Sequence, residues 1–148
     1  MPRNVITLNN PTVTFADTEA GLAAGDAFQC QITAATITPQ PVYNTIPSTG
    51  CAGASQSPGR TGWQIDLAWL QDWGADPSMS RYAFDRDTDL VWYQFTLDSI
   101  GLPDEVATGQ AYVSAGAYGG TFGDGSAAAA TATWPCLDKP DIATAVVP

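Results

Sequence analysis

The stretch Gly62-Trp63-Gln64-Ile65-Asp66-Leu67-Ala68-Trp69-Leu70 alternates large apolar side chains with polar or small ones, without a break. That two-residue period is the signature of a β-strand, because successive Cβ atoms point to opposite faces of a sheet. Trp63, Ile65, Leu67 and Trp69 are thus predicted to face a core, and Gln64, Asp66 and Ala68 to face away from it. Residues 90–98 repeat the pattern. Val91, Tyr93, Phe95 and Leu97 share the apolar face, with Trp92, Gln94, Thr96 and Asp98 opposite.

Outward from these two strands the signals weaken. Between them, Asp76-Pro77-Ser78 reads as a helix start, with Asp76 as N-cap and Pro77 in the first helical position. The helix is predicted over 77–86, with Met79, Tyr82, Ala83 and Arg86 on one face. Residues 4–15 read as two short strands broken at Asn10-Pro11, within an N-terminal arm and first strands over 1–26. Residues 27–38 read as a strand that Pro39, Pro41 and Pro47 bring to an end, since proline cannot donate to a ladder. Residues 43–62, rich in Gly, Pro, Ser and Thr, read as a long loop acting as a contact arm that orders on assembly. Strands are expected at 107–116 and 126–134, and residues 136–148 form a tail without a core of its own. The sum predicts one domain over 1–148, mainly β, a β-sandwich or small barrel flanked by one short α-helix.

Composition narrows function. Charged residues are only 14% of the chain, against a usual ~25%, which suits a surface largely covered by partners. Five Lys and Arg stand against fifteen Asp and Glu, and the net charge of −10 argues against a surface that grips nucleic acid. Histidine is absent, which removes the commonest general base and the commonest metal ligand. Cys30, Cys51 and Cys136 are odd in number and widely spaced, so they read as buried or partly buried free thiols. No apolar run of signal-peptide or membrane-spanning length is present, so the expectation is a protein made in the cytoplasm, outside any membrane.

Catalytic motifs fail one by one. Serine has no histidine to activate it, and Gly53-Ala54-Ser55-Gln56-Ser57 lacks the closing glycine of a nucleophile elbow. Asp85-Arg86-Asp87-Thr88-Asp89 begins like a calcium loop, but Leu90 and Thr96 stand where glycine and glutamate are needed. Asp66 and Asp98 are a carboxylate pair only in the weakest sense. No catalytic, metal-binding or cofactor-binding residue is assigned, no cofactor is expected, and the chain is not read as an enzyme. Trp63 and Trp69 are expected in the core, whereas Trp92, on the outward face of its strand, reads as a subunit-interface residue.

Taken together, the run from Gly62 to Trp73, the run Val91-Trp92-Tyr93-Gln94-Phe95, and the later Ala111-Tyr112-Val113-Ser114-Ala115, Tyr118-Gly119-Gly120-Thr121-Phe122-Gly123 and Ala130-Thr131-Ala132-Thr133-Trp134-Pro135 resemble the major tail (tail tube) proteins of siphophages of actinobacteria. The resemblance covers roughly residues 60–140. It implies a virion structural protein of the phage tail, made in the host cytoplasm. Six copies would form a ring, rings would stack into a tube, and DNA would pass through the lumen without specific binding. The partners implied are further copies of the chain and the tail proteins at the tube ends. Gln64, Asp66, Gln94 and Asp98 are then candidates for lumen or interface positions, and Trp92, Tyr43, Ile46 and Arg60 for subunit interfaces. An acidic lumen would keep phosphate off the wall within a screening length of ~8–10 Å. Two other classes remain open: another virion part, such as a capsid decoration protein or tail terminator, and a carbohydrate-binding β-sandwich module.

Overall fold

The alternating stretch becomes the central strand of a three-stranded antiparallel sheet in the computed structural model, which describes residues 12–28, 31–51, 53–97, 104–123 and 125–144. In chain order the elements are β1 (Thr12–Ala16), a 3-10 turn (Ala20–Ala24), β2 (Asp26–Ala27), β3 (Ile32–Gln40), β4 (Tyr43–Ile46), β5 (Ser55–Pro58), β6 (Gly62–Leu70), α1 (Met79–Asp85), β7 (Leu90–Leu97), β8 (Glu105–Tyr112), β9 (Ala129–Pro135) and β10 (Asp141–Thr144). One sheet runs β10-β8-β7-β1-β2 and the other β3-β6-β9. The fold is mainly β with several antiparallel sheets and one short α-helix, as the periodicity predicts.

The two sheets meet through their apolar faces. Phe15, Val91, Tyr93 and Phe95 from the larger sheet share one core with Ile65, Leu67, Trp69, Ala130 and Trp134 from the smaller, and Met79 and Ala83 of α1 close its side. Both large indoles are fully buried with their N–H groups satisfied. Trp69 Nε1 donates to Ser80 Oγ at 2.9 Å, and Trp134 Nε1 to the Ser114 carbonyl at 2.9 Å. An unpaired buried donor would cost about 1–3 kcal/mol, so these bonds are what lets an indole sit at the centre. Trp63, predicted for the core, is only half-buried, at the start of β6.

After β9 the chain changes sheets. Cys136 N donates to the Trp63 carbonyl and Leu137 N to the Gln110 carbonyl, so the chain leaves the smaller sheet and reaches the larger one. The segment 136–148, predicted as a tail without a core of its own, thus contributes β10, paired with β8 from Asp141↔Thr108 to Thr144↔Glu105.

Other expectations are corrected. The helix begins two residues later than predicted, and Ser78 rather than Asp76 is its N-cap: Ser78 is extended and its Oγ accepts from Arg81 N. Arg86, placed on the helix face, lies at its C-cap, pairs with Asp17 and sits 5.0 Å from the Tyr82 ring centroid. Pro39 does not end its strand. β3 is an edge strand, and pairing runs through Pro39↔Trp63 to Gln40↔Gly62. The strand predicted at 107–116 lies at Glu105–Tyr112, and the one at 126–134 at Ala129–Pro135. Residues 1–11, most of the predicted N-terminal strands, lie outside the described residues, as does Cys30. Cys136 is half-buried as expected, its thiol pushed up by burial beside the Tyr93 hydroxyl, but Cys51 is exposed.

The largest correction concerns 43–62. This segment is not an irregular loop but an antiparallel hairpin, β4 with β5, paired from Tyr43↔Pro58 to Ile46↔Ser55. It continues the β3–β6 ladder past Gln40↔Gly62 after a one-residue register shift. The shift is made at Gly59, whose N–H donates to the Val42 carbonyl at 2.6 Å; a Cβ there would stand 2.9 Å from that oxygen. The result is one two-stranded ribbon whose far part leaves the body, with residues 41–56, Ala52 aside, exposed on every side.

Candidate assembly surfaces

The outward face of the smaller sheet is built from alternate residues of three strands. Thr36 and Thr133 flank Asp66 in register, Thr38 pairs with Gln64, and Ala34 and Ala68 complete a small-residue surface. Asp66 sits at its centre with its carboxylate fully engaged. Oδ2 accepts from Thr38 Oγ1 at 2.9 Å, while Oδ1 accepts from Gln64 Nε2 at 3.0 Å and Thr133 Oγ1 at 2.9 Å. The Thr38 hydrogen bond does most to hold its pKa below the ordinary value, with Thr133 and Gln64 adding to it against a desolvation that works the other way. Asp66 is the only charged side chain on this face, and no Lys or Arg of β3, β6 or β9 offsets it. Gln64 and Asp66 thus lie side by side on this face, joined by a hydrogen bond.

Gln94 does not join them. It lies on the outward face of the larger sheet, opposite Thr14 and Thr108, on the far side of the sandwich. Its neighbours Thr12, Ala16, Thr96, Val106 and Gln110 are likewise uncharged. Trp92 belongs to the same face, half-buried, in a cleft it shares with Glu19, Gln110, Leu137, Asp138 and Asp141. Asp98 lies outside the described residues. The three of these four candidates that are described, Gln64, Asp66 and Gln94, thus fall on two opposite surfaces, and one channel cannot be lined by both.

The remaining nominated residues mark the ribbon. Tyr43 and Ile46 are 59% and 48% exposed, on opposite faces of the β4–β5 hairpin. Arg60 lies at its root and pairs with Asp138 at 2.9 Å, fully in solvent. Such an exposed pair adds little stability, on the order of 0–1 kcal/mol.

Sequence reasoning missed a fourth surface. Beyond the other end of β6, Trp73 packs edge-on against Phe84 of α1 (centroids 6.0 Å apart) and against Tyr118 of the glycine-rich connection (5.0 Å). Gln71 holds this corner together. Its Nε2 donates to the Gly119 and Ala129 carbonyls, and its Oε1 accepts from Gly119 N and Trp73 Nε1. Phe84 and Tyr118 remain 58% and 81% exposed, and Phe122 further along the same connection is more exposed still. The signal available in the sequence was the setting of Tyr118 and Phe122 among glycines, where no strand or helix period could have buried them.

Free strand edges complete the inventory. Among the described residues no strand lies beyond β3 or β9 in the smaller sheet, nor beyond β10 in the larger. No helix among them is long and apolar enough to cross a membrane. No protein-family model matches the chain, and no curated protein matches it in sequence.

Proposed function

We propose that this chain is the structural subunit of a bacteriophage tail tube, self-assembling into stacked hexameric rings that form a conduit for DNA ejection. The observation that carries the reading is the smaller sheet. Among the described residues it is open at both edges, and its outward face carries threonines, alanines and one ionised carboxylate without a cation. Open edges are a liability for a solitary protein, and continuation by a neighbouring copy removes it. Copies joined β3 to β9 close a wall in which the Asp66 face lines the bore. A cation-free wall has no side chain with which to exchange counterions against phosphate, so DNA slides past without being held. Of the two outward faces, this assigns Gln64 and Asp66 to the lumen and leaves Gln94 and Trp92 to the outer layer. The chain then resides in the virion tail after synthesis in the host cytoplasm, with other copies and tube-end proteins as partners.

Electron microscopy of the concentrated, purified protein tests the proposal. Rings or tubes with a central hole are expected, and a monomer at every concentration tried would sink it. The Trp92 cleft favours a second reading, a carbohydrate-binding module in which the indole stacks on a sugar among Gln110, Asp138 and Asp141. Glycan binding that is lost on Trp92→Ala would select that reading instead.

A further inference from the structure

The inner faces of the two sheets do not fill all the space between them. Along β8 the inward positions are Glu105, Ala107, Gly109 and Ala111, small residues and one acid where a sandwich core calls for bulk. Tyr93 fills the space over Gly109, where a Cβ would stand 2.7 Å from the tyrosine hydroxyl oxygen, and Ala111 is fully buried. Ala107 instead opens onto a cleft. Opposite it, Ala35 and Ile37 of the edge strand β3 are only half-buried, although they lie on the face that packs inward beside Leu67 and Ile65. The cleft has a volume of about 330 Å³, with Phe95 and Ala107 as its floor and Ala35, Ile37, Leu97 and Ile142 as its walls. That volume is within the range of small-molecule sites.

One charged side chain interrupts this apolar lining. Glu105 stands in a row with Leu97 and Thr144 across β7, β8 and β10. Its Oε1 accepts from Thr144 Oγ1 at 2.8 Å, the only hydrogen bond to this carboxylate among the described residues. No cation answers it. Of the four Lys and Arg that are described, Arg60, Arg81 and Arg86 pair with Asp138, Asp85 and Asp17, and Lys139 lines the Trp92 cleft. A carboxylate among apolar neighbours, with one oxygen unclaimed by any described residue, is complementary to a positively charged donor. Such a charge-assisted bond is roughly twice as strong as a neutral one. An acid at an inward strand position also breaks the alternation that holds elsewhere in the sheet, and such breaks are expected where a protein binds something.

We propose that this cleft is a binding site for a small amphipathic cation, an alkyl- or arylammonium. Its apolar body lies between Phe95 and Ile37, and its ammonium group donates to Glu105 Oε2. Apolar contact supplies the affinity and the single polar group fixes the orientation, the usual division of labour in a small-molecule site. An anion of the same shape is turned away by Glu105. The inference goes beyond the tail-tube reading and does not rest on it.

Equilibrium dialysis tests the site, since it reads binding to monomer, ring or tube alike. The probes are hexylammonium, hexanol and hexanoate, equal in chain length and different in charge. Wild type is expected to bind hexylammonium saturably with a Kd of about 1 mM or tighter, hexanol more weakly and hexanoate not at all. Glu105→Gln is expected to weaken hexylammonium about tenfold, the loss typical of a hydrogen bond to a charged group, and to leave hexanol within about twofold. Ala35→Leu fills the cleft while keeping every charge, and is expected to abolish binding of both. No saturable binding up to about 10 mM, far above the Kd expected, overturns the proposal. So does hexanoate bound as tightly as hexylammonium, or hexylammonium affinity unchanged by Glu105→Gln. Hexylammonium binding that survives in a folded Ala35→Leu variant would show general attraction to an acidic protein, and overturns the site as well. Glu105 is half in solvent, so Glu105→Gln decides the matter alone if Ala35→Leu fails to fold.

Discussion

Asp66 shows how one residue acquires a property from three strands. Its sequence neighbours supply only Gln64; Thr38 and Thr133 arrive by cross-strand pairing. Because its folded pKa lies below the ordinary 3.8, its contribution to stability is complete above that value and is lost as the pH falls through the lower folded value. The stability difference between wild type and Asp66→Asn, from thermal melts, is expected to be flat from about pH 7 to 5 and to shrink below about pH 4. A difference that stays constant down to about pH 2 would show that the carboxylate gains nothing from its three donors. Gly116 makes the matching point for packing. A Cβ there would stand 2.6 Å from Cζ2 and 2.8 Å from Cη2 of Trp69, and 3.0 Å from Cβ of Ala130. Trp69 is fully buried and tethered to Ser80, so it cannot swing away. Gly116→Ala is expected to cost about 1–3 kcal/mol in chemical denaturation, the usual range for overpacking. Nothing in the sequence around Gly116 announces this, since the clashing ring comes from a strand distant in the chain.

Among the elements, α1 depends most on residues outside itself. It has seven residues, too few to be stable alone, and its N-terminal N–H groups need acceptors. Ser78 Oγ takes Arg81 N, and Asp72, from the turn after β6, takes Met79 N, Ser80 N and the Ser78 hydroxyl. Ser78→Ala is expected to destabilise the protein by about 1 kcal/mol, as other cap removals do. Asp72→Ala strips the acceptor from Ser80 N and the Ser78 hydroxyl, while Met79 N keeps Gln31 Oε1 at 2.9 Å, and is expected to cost more, about 2 kcal/mol, with the double variant falling short of the sum. Additive losses in urea melts would show that the two residues act independently. The existence of this helix was legible in Asp76-Pro77-Ser78, but its start was not. A capping rule that reads only the residues beside the helix could not see that Asp72 curls back to the first turn. The ribbon was illegible for a different reason: Tyr43–Ile46 and Ser55–Pro58 carry no fully buried side chain, so no apolar period marks them as strands.

At the scale of the whole molecule the ribbon and the body differ in what holds them. The body has a core from two sheets and a helix, while the ribbon has ladder hydrogen bonds and exposed side chains. A broad-specificity protease acting on the monomer is therefore expected to cut first within 47–54, leaving the rest intact, and assembled protein is expected to resist at that point. A first cut inside β6, β7 or β8 would show that the body, not the ribbon, opens most readily. What the sequence determined by itself was the class of fold and the face each central strand buries, because alternation is a local property that needs only the direction of successive side chains. Trp69, Tyr93 and Phe95 were legible as core on that ground. Which outward faces lie together was decided by the tertiary structure alone. Gln64, Asp66 and Gln94 look equivalent along the chain, yet the packing of one sheet on the other turns the first two and the third to opposite sides of the sandwich. The aromatic cluster is of the same kind, for Trp73, Phe84 and Tyr118 come from three separate segments, and only the folding of the chain in space makes them one surface.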